Sequence, residues 1–280
     1  MEKICQNPQS QVATDQRFVG KVLVITGAGG QFGRAACRYF GERGARIAAL
    51  DQNAEGLEGT FAELSDEFDS KGFVCDVTNA SQVASVVERI VERFGRIDLL
   101  WNNAGYQGKI QSCLDYDPID FANVMNINVT GMFIVLQAVA RKMKQQGGGV
   151  IVNTASVAGM RGTPGMIAYA SSKAAILTMT VNAAKELARF HIRVNSISPA
   201  LIGPGYMWDR QNALHAELGP PYYADTAEKV GEAKINAVPM QRVGSVEEVL
   251  QSTAFLLSSE SSYTTGINLV VDGGLAAGTK

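Results

Sequence analysis

The chain has 280 residues, 46% of them hydrophobic and 19% charged, with a formal net charge of −2. This is an ordinary globular composition, long enough for one large α/β domain or two small ones, and without the basic block that would point to nucleic acid as the main partner. No apolar run reaches the ~18 residues that a membrane span needs.

Residues 1–17 are polar, lack the basic-then-apolar layout of a signal peptide, and are expected to form a flexible leader. Cys5, Cys37, Cys75 and Cys113 are scattered without a Cys-x-x-Cys pair, and read as reduced, mostly buried thiols of a cytoplasmic protein. With His191 and His215 the only histidines, neither a metal site nor a His-based triad is expected.

Residues 21–26, Lys-Val-Leu-Val-Ile-Thr, predict a buried strand that runs into Gly27-Ala-Gly-Gly-Gln-Phe-Gly33. A helix over 34–43 follows, with Gly44 suited to its end, then a strand over 46–51 closed by Asp51. Strand, glycine-rich turn, helix, strand and acid in that order form a dinucleotide-binding unit, in which backbone N–H groups and a helix N-terminus meet a pyrophosphate. Gly27, Gly30, Gln31 and Phe32 are its candidate contacts. Asp51 stands where a carboxylate would accept hydrogen bonds from ribose hydroxyls and repel a 2′-phosphate, which favours NAD over NADP. The alternative role for Asp51 is to cap the helix beginning near Asn53. Arg34 reads as an exposed first-turn residue.

The alternation continues with a helix over 54–68, a third strand over 72–76, and a helix over 79–95 that carries Val83, Val86, Val87, Ile90 and Val91 on one face. A fourth strand over 96–101 ends in Asn102-Asn-Ala-Gly105, and one or two helices occupy 117–146. The β-branched run Val150–Val152 predicts a fifth strand with Ser156 just past its carboxyl end. Thr163, Pro164 and Gly165 break the chain before a small-residue helix that holds Tyr169 and Lys173 four apart, hence on one face. Strands over 192–197 and 267–271 flank a segment, 203–240, rich in Pro, Tyr, Met and Trp that reads as a substrate lid, and a helix over 246–257. These elements predict a single α/β domain over 18–280, a Rossmann-like, doubly wound parallel sheet of about seven strands with helices on both faces. Gly27, Asp51, Asp76, Asn103, Ser156 and Pro199 all fall at strand carboxyl ends, where such sheets hold ligands.

The Ser–Tyr–Lys set suits proton transfer. A tyrosine of pKa ~10 needs roughly 4 kcal/mol of preference for phenolate to act near neutrality, and an ammonium at ~4 Å in an effective dielectric of about 20 is of that order. Taken alone, Tyr-x-x-x-Lys reads more often as a solvated helix surface.

Together the motifs resemble the short-chain dehydrogenase/reductase family over about residues 18–274. They are Thr26-Gly27 to Gly33, Asp76-Val77, Asn102-Asn-Ala-Gly105, Asn128 before Val-Thr-Gly, Ser156, Tyr169-x-x-x-Lys173, Pro199 and Asp272-Gly-Gly. Ser156 precedes Tyr169 by 13 residues, the spacing customary in that family. The resemblance implies Tyr169 as general acid/base, Lys173 as its electrostatic partner and ribose ligand, Ser156 as the group that orients the substrate oxygen, and Asn128 in a water-linked proton relay. An Asn inside a helix reads equally as a core residue that bonds backbone. The resemblance further implies adenine contacts from Asp76 and Val77, adenosine-side contacts from Asn103, Ala104 and Gly105, and nicotinamide-side contacts from Pro199 and the Ile202 backbone. It implies a homotetramer or homodimer, a role the small residues over 170–175 permit by allowing close helix approach.

Two positions depart from the family pattern: Gln31 replaces a glycine, and Ala200 follows Pro199 where glycine is usual. Residues 102–108 and 202–211 look like the polyol dehydrogenases of xylitol dehydrogenase type within the family. The expected activity is NAD-dependent interconversion of a secondary alcohol and a ketone, with Tyr106, Gln107, Met160, Met166, Tyr206, Met207 and Trp208 as candidate pocket wall. The apolar run Tyr206-Met-Trp208 leaves open a cyclic or aromatic substrate in place of a polyol. A cofactor-binding regulator without turnover is the alternative outside catalysis.

Overall fold

A computed structural model describes residues 16–65 and 67–277; the expected leader and Cys5 fall almost wholly outside that range. Seven parallel strands pair in the order β3-β2-β1-β4-β5-β6-β7. They are β1 (Val22–Thr26), β2 (Arg46–Asp51), β3 (Ser70–Val74), β4 (Leu99–Asn102), β5 (Gly149–Thr154), β6 (Ile192–Pro199) and β7 (Asn268–Val271). The chain runs outward from β1 in one direction through β2 and β3, then returns to build the other half from β4. The reversal opens a crevice at the carboxyl ends of β1 and β4.

Alternate residues of the central strands face two cores. Val22, Val24, Ala48, Leu100 and Ile151 pack against α3 (Ala80–Phe94), α5 (Met132–Gln146) and α7 (Ile167–Leu187). Leu23, Ile25, Ile47, Trp101, Val152 and Ile197 pack against α1 (Gln31–Gly41) and α10 (Val246–Leu257). Burial on both faces explains why these strands read as continuous apolar runs and not as alternation. The expected doubly wound sheet is therefore present, as one domain.

Several boundaries shift, among them the start of α1, which is Gln31 and not residue 34. The helix over 54–68 ends early: α2 (Ala54–Ala62) is followed by turns, and its N-cap is Asn53, whose side chain accepts from the Gly56 N–H. β3 pairs two residues earlier than its apolar residues suggest, because parallel pairing sets Ile47 against Ser70 and Asp51 against Val74. β4 starts at Leu99, and just before it the Asp98 side chain accepts from the Val22 N–H at 3.0 Å and pairs with Arg96.

The helical run over 117–146 is α4 (Pro118–Met125), a π-helical turn (Asn126–Gly131) and α5. By length and composition these 29 residues would suffice to cross a membrane, contrary to the expectation from apolar runs. Val135, Leu136, Val139 and Met143 pack it onto the sheet instead. The remaining helices are α6 (Ala158–Arg161), α8 (Tyr206–Leu218) and α9 (Ala227–Asn236).

Candidate active site

The crevice is organised by threonine hydroxyls at strand ends. The Thr26 Oγ1 accepts from the N–H groups of Asn103 and Ala104 at 2.8 and 2.9 Å, which ties the β4 loop to the end of β1. The Thr154 Oγ1 accepts from the Trp101 indole at 2.8 Å and donates to the Asn103 side chain at 3.2 Å. Thr26 belongs to the motif read from the sequence, whereas Thr154 did not stand out, since Thr in a β-strand is unremarkable by composition.

At the glycine-rich turn, Gly27 has φ +70, and a Cβ there would stand 3.0 Å from the Ala104 Cα. Gly30 caps α1 with no side-chain hydrogen bond, so the first-turn N–H groups keep their capacity for an anion. The Asp51 carboxylate accepts from the Gly29 N–H with one oxygen and from the Asn53 N–H with the other, both at 2.9 Å. Each oxygen retains a lone pair for a ribose hydroxyl. Arg34 is engaged with Glu63 at 2.5 Å, as befits a surface residue.

Gln31, the first departure from the family pattern, reaches toward the base of the 203–240 segment: a Cβ on Gly205 would lie 2.9 Å from its Nε2. Ala200, the second, lines the cavity and keeps its N–H on the Val271 carbonyl at 3.1 Å.

A cavity of about 410 Å³ runs from Gly27, Gly30, Gln31, Phe32 and Asp51 past Asn103, Ala104 and Gly105 to Ser156, Tyr169, Lys173, Pro199 and Ile202. A neighbouring cavity of about 340 Å³ shares Gly27, Asp51, Ala104 and Gly105 and adds Asp76 and Val77. All the candidate cofactor contacts thus line these two adjoining cavities, and the open turn, uncapped helix and part-used Asp51 carboxylate fit a dinucleotide. Asp76 also accepts from the Thr78 N–H at 2.9 Å and its hydroxyl at 2.8 Å, and the Gln82 side chain accepts from the Asp76 N–H, which fixes the Asp76 loop.

Ser156, Tyr169 and Lys173 converge as their spacing suggested. Lys173, buried on α7, donates from Nζ to the Thr154 carbonyl at 2.7 Å, and its Nζ lies 5.5 Å from the Tyr169 ring centre. The Ser156 hydroxyl lines the same cavity as Tyr169, donates to the Pro199 carbonyl at 3.5 Å and accepts from the Ala158 N–H at 3.2 Å. The expected electrostatics differ in one respect: burial pushes the Tyr169 phenol up, with Ser156 pulling it partly back, so the folded chain by itself does not depress it. Burial likewise lowers Lys173 to about 8. Both groups stand in the same low-dielectric pocket, which disfavours either charge alone.

That depression has a sign that can be tested. Because the folded pKa of Lys173 is below its unfolded value, the unfolded chain binds more protons from about pH 8 to 10.5, so stability rises with pH across that window. Below it the ammonium costs the fold about 3 kcal/mol, at about 1.36 kcal/mol per unit. Lys173→Met, which leaves the Thr154 carbonyl short of a donor at a cost of about 1–3 kcal/mol, is expected to raise the Tm of the cofactor-free protein near neutral pH by a few degrees and to lose that advantage above pH 10. A variant equally destabilised at all pH values would contradict this.

Asn128 does not line the trough. Its Oδ1 accepts from the Tyr106 N–H at 2.7 Å, and its Nδ2 donates to the Tyr106 carbonyl at 2.8 Å and the Ser172 hydroxyl at 2.9 Å. Ser172 in turn donates to the Tyr169 carbonyl at 2.7 Å. The π-helical turn thus aims Asn128 as a clamp between the β4 loop and the catalytic helix, the backbone-bonding alternative weighed above.

Of the expected pocket wall, Tyr106, Gln107, Met166, Met207 and Trp208 line the cavity. Tyr206 and Met160 do not: Tyr206 is 74% exposed, on a different side of α8 from Trp208, and the exposed Met160 accepts from the Asn268 amide. Gln211, His215 and Lys234 were missed and complete the wall. Their signal was present but weak, since His215 is one of two histidines in the chain.

A family model described as enoyl-(acyl carrier protein) reductase matches residues 27–276. The chain belongs to the short-chain dehydrogenase/reductase family. It is an oxidoreductase of that family, whose members bind a nicotinamide cofactor. Its fold superposes on the crystal structure of NAD+-bound xylitol dehydrogenase with a TM-score of 0.90 and 47% identity, covering 92% of this chain and 99% of that one. Levodione reductase of Leifsonia aquatica is 35% identical over 93% of this chain and 96% of its own length. D-threitol dehydrogenase of Mycolicibacterium smegmatis is 33% identical over 96% and 98%.

Proposed function

We propose that this protein is an NAD(H)-dependent dehydrogenase that interconverts a secondary alcohol and its ketone, with Tyr169 as the proton carrier. The observation that carries the reading is the placement of Ser156, Tyr169 and Lys173 in the same cavity as the Gly27 turn and Asp51. A nicotinamide held in this cavity would supply the hydride acceptor or donor and, when oxidised, a positive charge that favours phenolate. Tyr169 takes the hydroxyl proton in oxidation and returns it in reduction. Ser156, which lines the same cavity, positions the substrate oxygen beside the phenol. Lys173 stabilises the phenolate and has donors left for a ribose hydroxyl, since one is spent on Thr154. Asn128, through Tyr106 and Ser172, holds the loop and helix that carry these groups.

The free lone pairs and negative charge of Asp51 support NAD over NADP. Asp51→Asn, which keeps an acceptor for Gly29, is expected to lower kcat/KM with NAD+ about 10-fold and to raise it with NADP+. A wild-type enzyme that already prefers NADP+ would overturn the assignment.

The likeness to xylitol and D-threitol dehydrogenases supports a polyol substrate. The second reading, a cyclic ketone or alcohol, is favoured by Trp208, Met166 and Met207 in the wall and by the likeness to levodione reductase. Residues 203–240 act as the substrate lid. Exposed Ile119, Phe133 and Val181 offer apolar surface for assembly into a homodimer or homotetramer, and the buried free thiols of Cys37 and Cys75 suit a reducing, cytoplasmic setting.

A further inference from the structure

Two residues that line the cavity, Gln107 and His215, carry three buried polar atoms with no hydrogen-bond partner among the described residues. These atoms are the Gln107 Nε2 and both ring nitrogens of His215. Gln107 is 9% exposed and His215 2%. Buried polar groups in native folds are nearly always satisfied, so several orphans on one cavity wall call for a ligand that satisfies them. They are also held in place. The Gln107 Oε1 accepts from the Gln211 Nε2 at 3.0 Å, and the His215 ring stacks on Tyr223 at 4.2 Å between centres. Tyr223 is itself anchored by donating to the Pro164 carbonyl at 2.9 Å.

Lys234 completes the group from α9. Its Nζ donates to the Asn212 side chain at 2.7 Å, which leaves ammonium donors to spare. Asp51, at the cofactor end, is the only carboxylate among the described residues lining the cavity, so nothing on this wall neutralises Lys234. Trp208, Gln211 and His215 fall three and four apart on α8 and share a face, while Gln107 comes from the β4 loop. None of these residues is required to move the proton at Tyr169.

The pattern of donors and acceptors identifies what would fit. Burial and the nearby Lys234 ammonium hold His215 down to about 3, so it is neutral, with one N–H donor and one bare acceptor nitrogen. Gln107 and Lys234 offer donors. A carbonyl or carboxylate can answer the donors and leaves the acceptor nitrogen bare. A hydroxyl both donates and accepts, and so answers every member. The faces of Trp208, Met166 and Met207 then cover carbon.

We propose that Gln107, His215 and Lys234 form a hydroxyl-reading subsite, and that the substrate is an acyclic polyol with at least two hydroxyls besides the one oxidised. This rests on the alcohol–ketone reading above and decides between its two substrate classes in favour of the polyol. A site built to hydrogen-bond a hydroxyl rejects the analogue that lacks it far more strongly than an apolar wall rejects an extra one.

The test compares kcat/KM with NAD+ for threitol, xylitol and sorbitol against sec-butanol, in the wild type and in His215→Phe and Gln107→Met. The wild type is expected to favour at least one polyol by more than about 100-fold, and each variant to cut that ratio by about 10-fold or more. A ratio taken within one protein is insensitive to partial unfolding, and Gln107→Met stands in should His215→Phe fail to fold. A wild-type ratio near one, or a ratio unmoved in both variants, would overturn the subsite. So would a preference for lactate over every polyol, which would make Lys234 a carboxylate anchor. Should no alcohol reduce NAD+, the alcohol–ketone reading fails separately, and calorimetric titration of the same polyols into the protein with NAD+ still decides. Binding that weakens 10-fold in the variants supports the subsite, and no binding overturns it.

Discussion

Tyr169→Phe is expected to lower turnover by about 100- to 10,000-fold, the scale of a lost general acid/base, while dinucleotide affinity stays within a few-fold. The substitution removes a single oxygen from a half-buried side chain that lines the cavity. The fold gives no reason for a large stability change, because burial already favours the uncharged phenol, and the ring and its packing are retained. Steady-state kinetics beside a titration of NAD+ by protein fluorescence would separate the two effects. An undiminished kcat would remove Tyr169 from the chemistry.

The second large effect is expected at a position that touches neither proton nor hydride. Gly33 is buried in the first turns of α1, and a Cβ there would overlap the Gly27 carbonyl oxygen and stand 2.5 Å from the Ala28 Cα. Those neighbours are backbone, so no side chain can swing aside, and the turn itself has to open. Gly33→Ala is therefore expected to destabilise the fold by about 1–3 kcal/mol or more. It should also weaken dinucleotide binding by over 10-fold, because the Gly27 turn and the helix N-terminus move apart. Thermal unfolding with and without NAD+ reads both, and a protein with unchanged Tm and cofactor affinity would refute this account of the turn. The contrast with Gln31 is instructive. It also sits where the family pattern has glycine, yet its side chain extends to the space beside Gly205.

Much of this architecture could be read from the residues alone. Fully buried parallel strands are short β-branched runs, and the helices between them show their periodicity, so a doubly wound parallel sheet of about seven strands followed from alternation. Asp51, Ser156, Tyr169 and Lys173 were legible because chemistry fixes both their type and their placement at strand ends or on one helix face. Other features depended on pairing that no local pattern encodes. The start of β3 at Ser70 is set by β2, and the apolar residues Phe73 to Cys75 draw the eye to a later register. Helix rotation decided the pocket wall: Tyr206 and Trp208 are two residues apart and so point in different directions on α8.

The electrostatics of Tyr169 and the subsite at His215 were beyond reach for a different reason. Each depends on burial, and burial is a property of the assembled fold. A lysine four residues from a tyrosine can be assigned a favourable charge on paper. In the folded chain, desolvation pushes the phenol up and the ammonium down together. A lone histidine in a polar stretch gives no hint that the fold will strip both of its nitrogens of partners.

The central claim is that the buried phenol of Tyr169 takes a proton from a secondary alcohol as hydride leaves for NAD+. Stopped-flow measurement of NADH absorbance during oxidation of an acyclic polyol by the wild-type enzyme, followed across pH, tests it most directly. Burial holds the phenol above its ordinary range in the free chain and Lys173 near 8, so oxidation is expected to accelerate toward alkaline pH and reduction of the ketone to slow over the same range. Tyr169→Phe should abolish that dependence along with the signal. No NADH formed at any pH, or a rate independent of pH that survives in Tyr169→Phe, would contradict the account.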